Sequence, residues 1–456
     1  MNAGGEGGGG SSGRPMREAA REIFAHALEE SSIERGFGRK VYYERGVLQV
    51  GDDLFDLSMF SRIFVVSIGK AAHGCLEALV SRLGGGVEAT GIVSAPTLPS
   101  SQGFGMQVGF RYYEGGHPLP NDESLRAAEA ILRGLDSLDE QALAIYLISG
   151  GGSAVAEKPF REEIAFEDLV ESYRVLVHSG APIAEINAVR KHLSEVKGGR
   201  MALAAAPAQQ LSILVSDVPD DLLDSLASGP TMPDSSTAGQ CYEIAERYGL
   251  LPQLPRGVRE LFERRSLEET PKSDDPAFVR ARWWPILSNA CAVRAAAERA
   301  AKLGFAVEVD NRCDDWDYRK AGDHLLERVR ELRKRESQTG ASRVCLISGG
   351  ELSVKVDRAP GTGGRNQQFT LYCAERIAGE NICVLSAGTD GIDGNSPAAG
   401  AVVDGSTMSR AQEKGLSAGA ALANFDASPF FEALGDAVMT GATGTNVRDV
   451  RLLLAW

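Results

Sequence analysis

Arg62–Leu83, RIFVVSIGKAAHGCLEALVSRL, decides the fold class. Its opening run, Ile63–Ile68, is apolar but for Ser67, the composition of a buried strand. Gly69 breaks the run with a tight turn, and Lys70 follows it. Beyond the turn, Cys75, Leu76, Leu79 and Leu83 recur at helical spacing. The same grammar returns along the chain. ALAIYLISGGGSAV (Ala142–Val155) is a strand ending in Gly150–Gly151–Gly152–Ser153, and QLSILVSDVPDD (Gln210–Asp221) is one ending at Asp217. RVCLISGGELSV (Arg343–Val354) ends in Gly349–Gly350–Glu351, and ICVLSAGTDGIDG (Ile382–Gly394) ends in Gly388–Thr389–Asp390–Gly391. Helical stretches lie between them, among them Phe166–Gly180, Pro182–Val196 and Ser288–Gly304. Apolar strands alternating with helices predict α/β layers around a largely parallel sheet.

The chain has 456 residues, 43% of them hydrophobic and 24% charged, so it can bury a sizeable core and is long enough for two or three domains. The polar stretch Arg330–Ser342 is the expected boundary. It gives an N-terminal α/β domain over 16–336 and a smaller C-terminal one over 342–456. Residues 1–15, rich in glycine and serine with no apolar h-region, predict a disordered tail and no secretory signal. The net charge of −14 argues against a nucleic-acid surface. No window approaches the roughly 18 apolar residues of a membrane span. Seven scattered cysteines lack a C-x-x-C pair, and Cys75, Cys291, Cys345, Cys373 and Cys383 read as core thiols. A reducing cytoplasm is the expected location.

In open α/β sheets, ligands bind outside the carboxyl ends of the strands. The glycine clusters sit there, where backbone N–H groups can approach an anion without a side chain in the way. The candidates are Gly69, Gly150, Gly151, Gly152, Ser153, Gly349, Gly350 and Glu351. Lys70 opens a helix and reads as a phosphate or carboxylate contact, against a solvated lysine. His117, in GGHPLPND (Gly115–Asp122), is a substrate contact or a loop histidine. Asn187, Arg190, Lys191 and Ser194 fall on one helical face that suits a carboxylate or plain solvent. Asp217 is a magnesium ligand, a substrate-hydroxyl contact or an Asx turn. Asp390 and Asp393 lack the full calcium-loop pattern and suit Mg2+, which takes one or two carboxylates plus phosphate oxygens.

PGTGGRNQQF (Pro360–Phe369) poses a separate question. A cation in the first turn of a helix is unfavourable by roughly 0.3–1 kcal/mol unless an anion neutralises it. Arg365 therefore predicts a bound anion, approached past Gly363 and Gly364 and supplemented by Asn366 and Gln367 as donors. On this reading Arg365→Ala slightly stabilises the unliganded protein. No Ser-His-Asp order and no cysteine nucleophile is apparent. Glycine-lined strand ends, two cations and strand-end aspartates suit phosphoryl transfer, which needs mostly positioning and charge neutralisation.

These residues also carry a resemblance. GKAA (Gly69–Ala72), GGHPLPND, LISGGGSA (Leu147–Ala154), INAVRKHLSEVKGGRMA (Ile186–Ala202), SDV with ASGPT (Ala227–Thr231), GGRNQ (Gly363–Gln367), SAGTDGIDGNSPAAGA (Ser386–Ala401) and TGATGTN (Thr440–Asn446) occur in order. The chain resembles the class II glycerate kinases, whose C-terminal part is the MOFRL domain. The resemblance implies a large Rossmann-like domain with a parallel sheet, a smaller MOFRL domain, and an active site in the cleft between them. It implies ATP-dependent phosphorylation of D-glycerate, to 2-phospho-D-glycerate as in bacterial members, with Lys70 and Arg365 as the catalytic pair. ATP and Mg2+ are the implied cofactors, and a monomer or homodimer the expected state. One departure is Asp220, where the family usually has glycine, with the apolar pair Leu222–Leu223 after it in the stretch to Ser225. The competing readings are a nicotinamide-dependent hydroxypyruvate reductase and a non-catalytic nucleotide or sugar-acid sensor. Against the first, SIGKAA lacks the three-glycine pyrophosphate signature.

Overall fold

The buried run that opens the sequence argument becomes β1 (Arg62–Ile68), a middle strand of a six-stranded sheet in the computed structural model. The structure describes residues 13–99, 105–338, 340–356 and 359–456. β2 (Thr90–Ala95), β3 (Phe110–Glu114), β4 (Ala142–Ser149), β5 (Gln209–Val215) and β6 (Ala281–Leu287) complete the sheet. The order is β3-β2-β1-β4-β5-β6, and every pair is parallel. All eight residues of β4 are buried, as expected for a strand covered on both faces. Helix Asp122–Leu135 starts in a capping box between Asn121 and Ser124. It lays Ala128, Ile131 and Leu135 onto a core shared with Phe64, Val66 and Ile92. Strand order reverses between β1 and β4, so the crevice beyond their carboxyl ends is where such a sheet binds ligands. Gly69–Lys70 and Gly150–Ser153 lie there.

This sheet belongs to a compact unit of Gly36–Leu287, and the other unit combines Met1–Arg35 with Ser288–Trp456. The division departs from the expected boundary near residue 336. The reason is strand pairing: β7 (Ala306–Val309) pairs in parallel with β8 (Val344–Gly349), so the chain on both sides of the polar stretch joins one sheet. Helix Gly13–Glu30 packs in this unit as well. Its Arg17 binds Asp436 and donates to the Val402 carbonyl at 3.0 Å. Residues 1–12 of the expected tail lie outside the described residues, and 13–15 are helical.

The second sheet also departs from the sequence reading. With β9 (Ile382–Gly388), β10 (Gly400–Asp404), β11 (Ala437–Val438) and β12 (Asp449–Ala455), its order is β7-β8-β12-β9-β10-β11. Only β7 and β8 run parallel. The C-terminal strand β12 inserts between β8 and β9 antiparallel to both, with all seven residues buried. A buried arginine, Arg451, interrupts its apolar run and disguises it as a surface segment.

Candidate active site

The crevice of the parallel sheet is built around glycines that tolerate no side chain. Gly69 has φ +111°, and a Cβ there would fall 2.4 Å from Ser149 Oγ. The turn is fastened by Lys70 N–H donating to Gly150 O at 2.9 Å and Ala71 N–H donating to Ser149 Oγ at 3.0 Å. A Cβ on Gly150 would meet Asp217 Oδ2 at 1.9 Å. One on Gly151 would lie 3.2 Å from both Lys70 Cγ and His117 Nε2. Lys70, His117 and Asp217 therefore converge on the Gly150–Gly151 turn, and Ser153 follows half-buried in the short helix Gly152–Val155. Partial burial, then the Lys70 charge, lowers the His117 pKa, so the imidazole is neutral at pH 7.

The helix Ile183–Leu193 divides its expected binding face. Asn187 accepts from Ser228 Oγ at 3.4 Å. Ser228 sits in the turn Ala227–Gly229, where three successive residues have φ of 51°, 60° and 62°. That turn presses on Gly152, whose Cβ would lie 2.8 Å from Ala227 Cβ. Lys191 is 5% exposed, and its ammonium binds Asp234 at 3.0 Å and Asp224 at 3.2 Å. Its charge is thus already neutralised by protein. Arg190 stacks over the Tyr173 ring, 4.8 Å from the centroid, and Ser194 donates to Glu157 at 2.5 Å. Of the four, Asn187 alone reaches a group that packs on the glycine turn.

In the other unit, the N-terminus of the helix Arg365–Arg376 is capped by a carboxyl group from a later loop. Asp393, 2% exposed, accepts from Asn366 N–H at 3.0 Å, Gln367 N–H at 2.8 Å and Asn366 Nδ2 at 3.2 Å. Burial pushes its carboxyl up to about 7 against those three donors. Gly364 is glycine because a Cβ there would sit 2.3 Å from Asp393 Oδ1, and Gly363 N–H donates to Asn395 Oδ1 at 2.8 Å. Asn366 and Gln367 are 2% and 0% exposed. The expectation that these residues greet an external phosphate at the helix N-terminus is therefore corrected: a carboxylate of the chain occupies it.

Arg365 is held by carboxylates too. Its Nε donates to Asp449 Oδ2 at 2.6 Å and its Nη2 to Asp449 Oδ1 at 3.0 Å, and Nη2 lies 2.8 Å from Glu351 Oε1. Burial works against the guanidinium charge, but Asp449 first and Glu351 next outweigh it and raise the pKa. The Arg365 side chain is 37% exposed. The guanidinium is thus oriented by two carboxylates while the side chain stays partly exposed.

The Gly349–Glu351 turn also differs from expectation. Its three N–H groups donate to Asn311 Oδ1 at 2.8 Å, Asn289 Oδ1 at 3.0 Å and Asp314 Oδ1 at 3.0 Å. Glycines are needed because a Cβ would fall 1.9 Å from Asn289 Oδ1 at Gly349 and 2.6 Å from Asp314 Oδ1 at Gly350. They make room for side chains rather than for a phosphate. Asp390 is half-buried and accepts from Ile392 N–H at 3.2 Å. A Cβ on Gly388 would lie 3.0 Å from Asp390 Oδ1 and 3.4 Å from Asp449 Oδ1, which brackets two carboxylates around one glycine. No group of three or more His, Cys, Asp or Glu that could hold a metal occurs among the described residues. One or two carboxylates are what Mg2+ ordinarily takes from a protein that also presents phosphate oxygens.

Asn289, Asn311, Asp314 and Asp449 escaped the sequence reading. Asp449 had a signal, since it closes the polar glycine loop TGATGTNVRD (Thr440–Asp449). The other three lie on segments without glycine motifs.

Residues 19–263 match the family described as a domain of unknown function, DUF4147, and residues 344–449 match the MOFRL family. The chain is 35% identical over 395 residues to the D-glycerate 2-kinase of Thermotoga maritima, covering 85% of this chain and 89% of that one. The chain belongs to the class II glycerate kinase family. A crystal structure of glycerate kinase from Thermotoga maritima superposes with a TM-score of 0.82 at 32% identity, covering 97% of this chain and 100% of that one. A protein of Agrobacterium vitis with a provisional hydroxypyruvate reductase name is 34% identical, covering 86% of this chain and 87% of that one. The MOFRL match begins at the first residue of β8, whereas the C-terminal segment of the compact unit that holds this sheet begins at Ser288.

Proposed function

We propose that the chain transfers the γ-phosphoryl group of ATP to D-glycerate and releases 2-phospho-D-glycerate. The near full-length likeness to a D-glycerate 2-kinase carries this reading. The site chemistry supports it. Lys70 projects from the strand-order switch point, where a cation neutralises a phosphate or the glycerate carboxylate, beside the Gly150–Gly151 turn on which His117 and Asp217 also converge, and Gly69 and Gly150–Ser153 are the proposed backbone contacts. Arg365 offers a guanidinium fixed by Asp449 and Glu351, suited to charge on the phosphoryl group in flight. Asp217 in one unit and Asp390 in the other are each proposed to hold a magnesium ion, which would supply further charge neutralisation on the phosphates. Asn187, which meets Ser228 beside the glycine turn, is the proposed support for the acceptor.

A reductase would need a nicotinamide site, and the turn after β1 offers one glycine and a lysine in place of a three-glycine pyrophosphate cradle. The described cysteines are all free and six of the seven are buried, with Cys291 half-buried, which supports a reducing cytoplasm as the location. No helix among the described residues is long and apolar enough to cross a membrane. A monomer or homodimer acting on small molecules, without nucleic acid, is the proposed state.

The phosphorylated position is tested by 31P NMR of the products of ATP, Mg2+ and D-glycerate. The proton couplings of 2-phospho-D-glycerate are expected, and a 3-phosphoglycerate resonance alone contradicts the assignment. Gly150→Ala probes the crevice. Its Cβ must displace the Asp217 carboxylate from 1.9 Å. A shift of about 1 Å in such a group lowers the rate by about 10²-fold. Steady-state kinetics at saturating ATP check this, and an unchanged kcat would remove Asp217 from the site.

A further inference from the structure

The two carboxylates that hold Arg365 arrive on different loops. Glu351 follows β8, and Asp449 opens β12. Asp314, between β7 and the helix Tyr318–Ser337, grips both loops. Its Oδ1 accepts the Glu351 N–H at 3.0 Å. The same carboxylate takes the Arg448 guanidinium as a fork, with Nη1 to Oδ2 at 2.7 Å and Nη2 to Oδ1 at 2.5 Å. Burial opposes the charge of Asp314, but the Arg448 bonds and the Glu351 N–H outweigh it, so the group is ionised at neutral pH. Arg448 immediately precedes Asp449 and has φ +70°, a backbone region that non-glycine residues enter only where surrounding contacts hold them. Thr389 N–H and Oγ1 fasten that backbone, donating to Arg448 O at 3.0 and 2.7 Å.

Asn289 makes a second tie between the same loops. Its Oδ1 accepts Gly350 N–H, while its amide donates to Val447 O at 2.8 Å and Asp449 O at 3.0 Å. Both tie residues lie between the two family matches, which end at 263 and resume at 344. An Arg365 guanidinium pinned by two separate carboxylates keeps one orientation only while their spacing is fixed. Asp314 joins the backbone of one to the neighbour of the other.

We propose that Asp314 is a positioning residue for phosphoryl transfer: it sets the spacing of Glu351 and Asp449 and through them the orientation of Arg365. The proposal rests on the reading of the chain as a D-glycerate kinase served by Arg365. It separates from a role as plain fold glue by where its loss is felt. If Asp314 acts through Arg365, its removal matters only while Arg365 is an arginine.

The test measures kcat and KM for D-glycerate with ATP and Mg2+ on the full chain, in wild type, Asp314→Asn, Arg365→Lys and the double variant. Asp314→Asn is expected to lower kcat by about tenfold or more with KM changed less than about threefold. The double variant is expected to be within about twofold of Arg365→Lys alone. A wild-type kcat in Asp314→Asn, or losses that multiply in the double variant, would overturn the proposal while leaving the kinase reading intact. A wild-type chain that releases no ADP from ATP in the presence of D-glycerate would sink both. Should Asp314→Asn fail to fold, Arg448→Lys keeps the Glu351 tie and loses the fork. The same direction of loss, again absent in the Arg365→Lys background, is then expected, and a wild-type rate overturns the proposal.

Discussion

Lys70→Ala is expected to lower D-glycerate turnover by about 10²–10³-fold, the loss typical of one charge contact made in a transition state. The fold should not notice the change. Lys70 is exposed, and the bond that fixes its turn runs from its backbone N–H to Gly150 O, which alanine keeps. An exposed substitution of this kind shifts stability by no more than about 0.5 kcal/mol. The pair of measurements is kcat from an ADP-coupled assay and the midpoint of thermal unfolding. Near wild-type turnover with unchanged unfolding would take Lys70 out of the chemistry.

Arg365 carries the second large effect, in two variants. Arg365→Lys keeps the charge but loses the planar fork. Lysine cannot give Asp449 both of the bonds now at 2.6 and 3.0 Å and still face a ligand at a fixed angle. A fall in kcat of about 10²-fold is expected, with a smaller change in KM, because the contact is made chiefly in the transition state. Full activity in this variant would show that only charge is needed there. Arg365→Ala is expected to be less stable than wild type by about 1–3 kcal/mol, since it strips a fully buried Asp449 of its cation, tempered by the partial exposure of Arg365. This reverses the expectation from the helix dipole alone. The helix N–H groups are already capped by Asp393, and Arg365 is paired with Asp449 and Glu351, so removing it breaks contacts rather than relieving the dipole. Lost stability therefore does not distinguish a structural arginine from a catalytic one, and the lysine variant does.

The parallel sheet was legible because each of its central strands is a continuous apolar run closed by glycine or a strand-end aspartate, as Ile63–Gly69 and Ala142–Gly150 show. The same reading failed in the C-terminal unit. β12 carries Arg451 in the middle of a strand, and the residues opposite it, Ser348 on β8 and Ser386 on β9, are remote in sequence. No local pattern reports a pairing of that kind.

The Gly349–Gly350 pair misled for a related reason. From sequence, adjacent glycines at a strand end look alike whether they admit a phosphate or the side chains of Asn289 and Asp314, and those two residues arrive from a segment with no glycine signature. Asp393 was visible as a loop carboxylate, but its role as the cap of a helix whose Asn366 lies 27 positions earlier needs the folded chain. The placement of Lys70 and Arg365, each at a point where a glycine turn meets a helix, was legible in the sequence.

The most direct test of the central claim is a single assay in two arms. Purified full-length protein is supplied with ATP, Mg2+ and D-glycerate, and ADP is followed, with each component omitted in turn. A parallel arm supplies hydroxypyruvate with NADH or NADPH and follows loss of the reduced nicotinamide. ADP formation that requires D-glycerate, matched by an equal amount of phosphoglycerate and with no nicotinamide oxidised, is the predicted result. Nicotinamide oxidation without ADP would contradict the account in favour of a reductase, and turnover in neither arm would contradict it in favour of a binding protein.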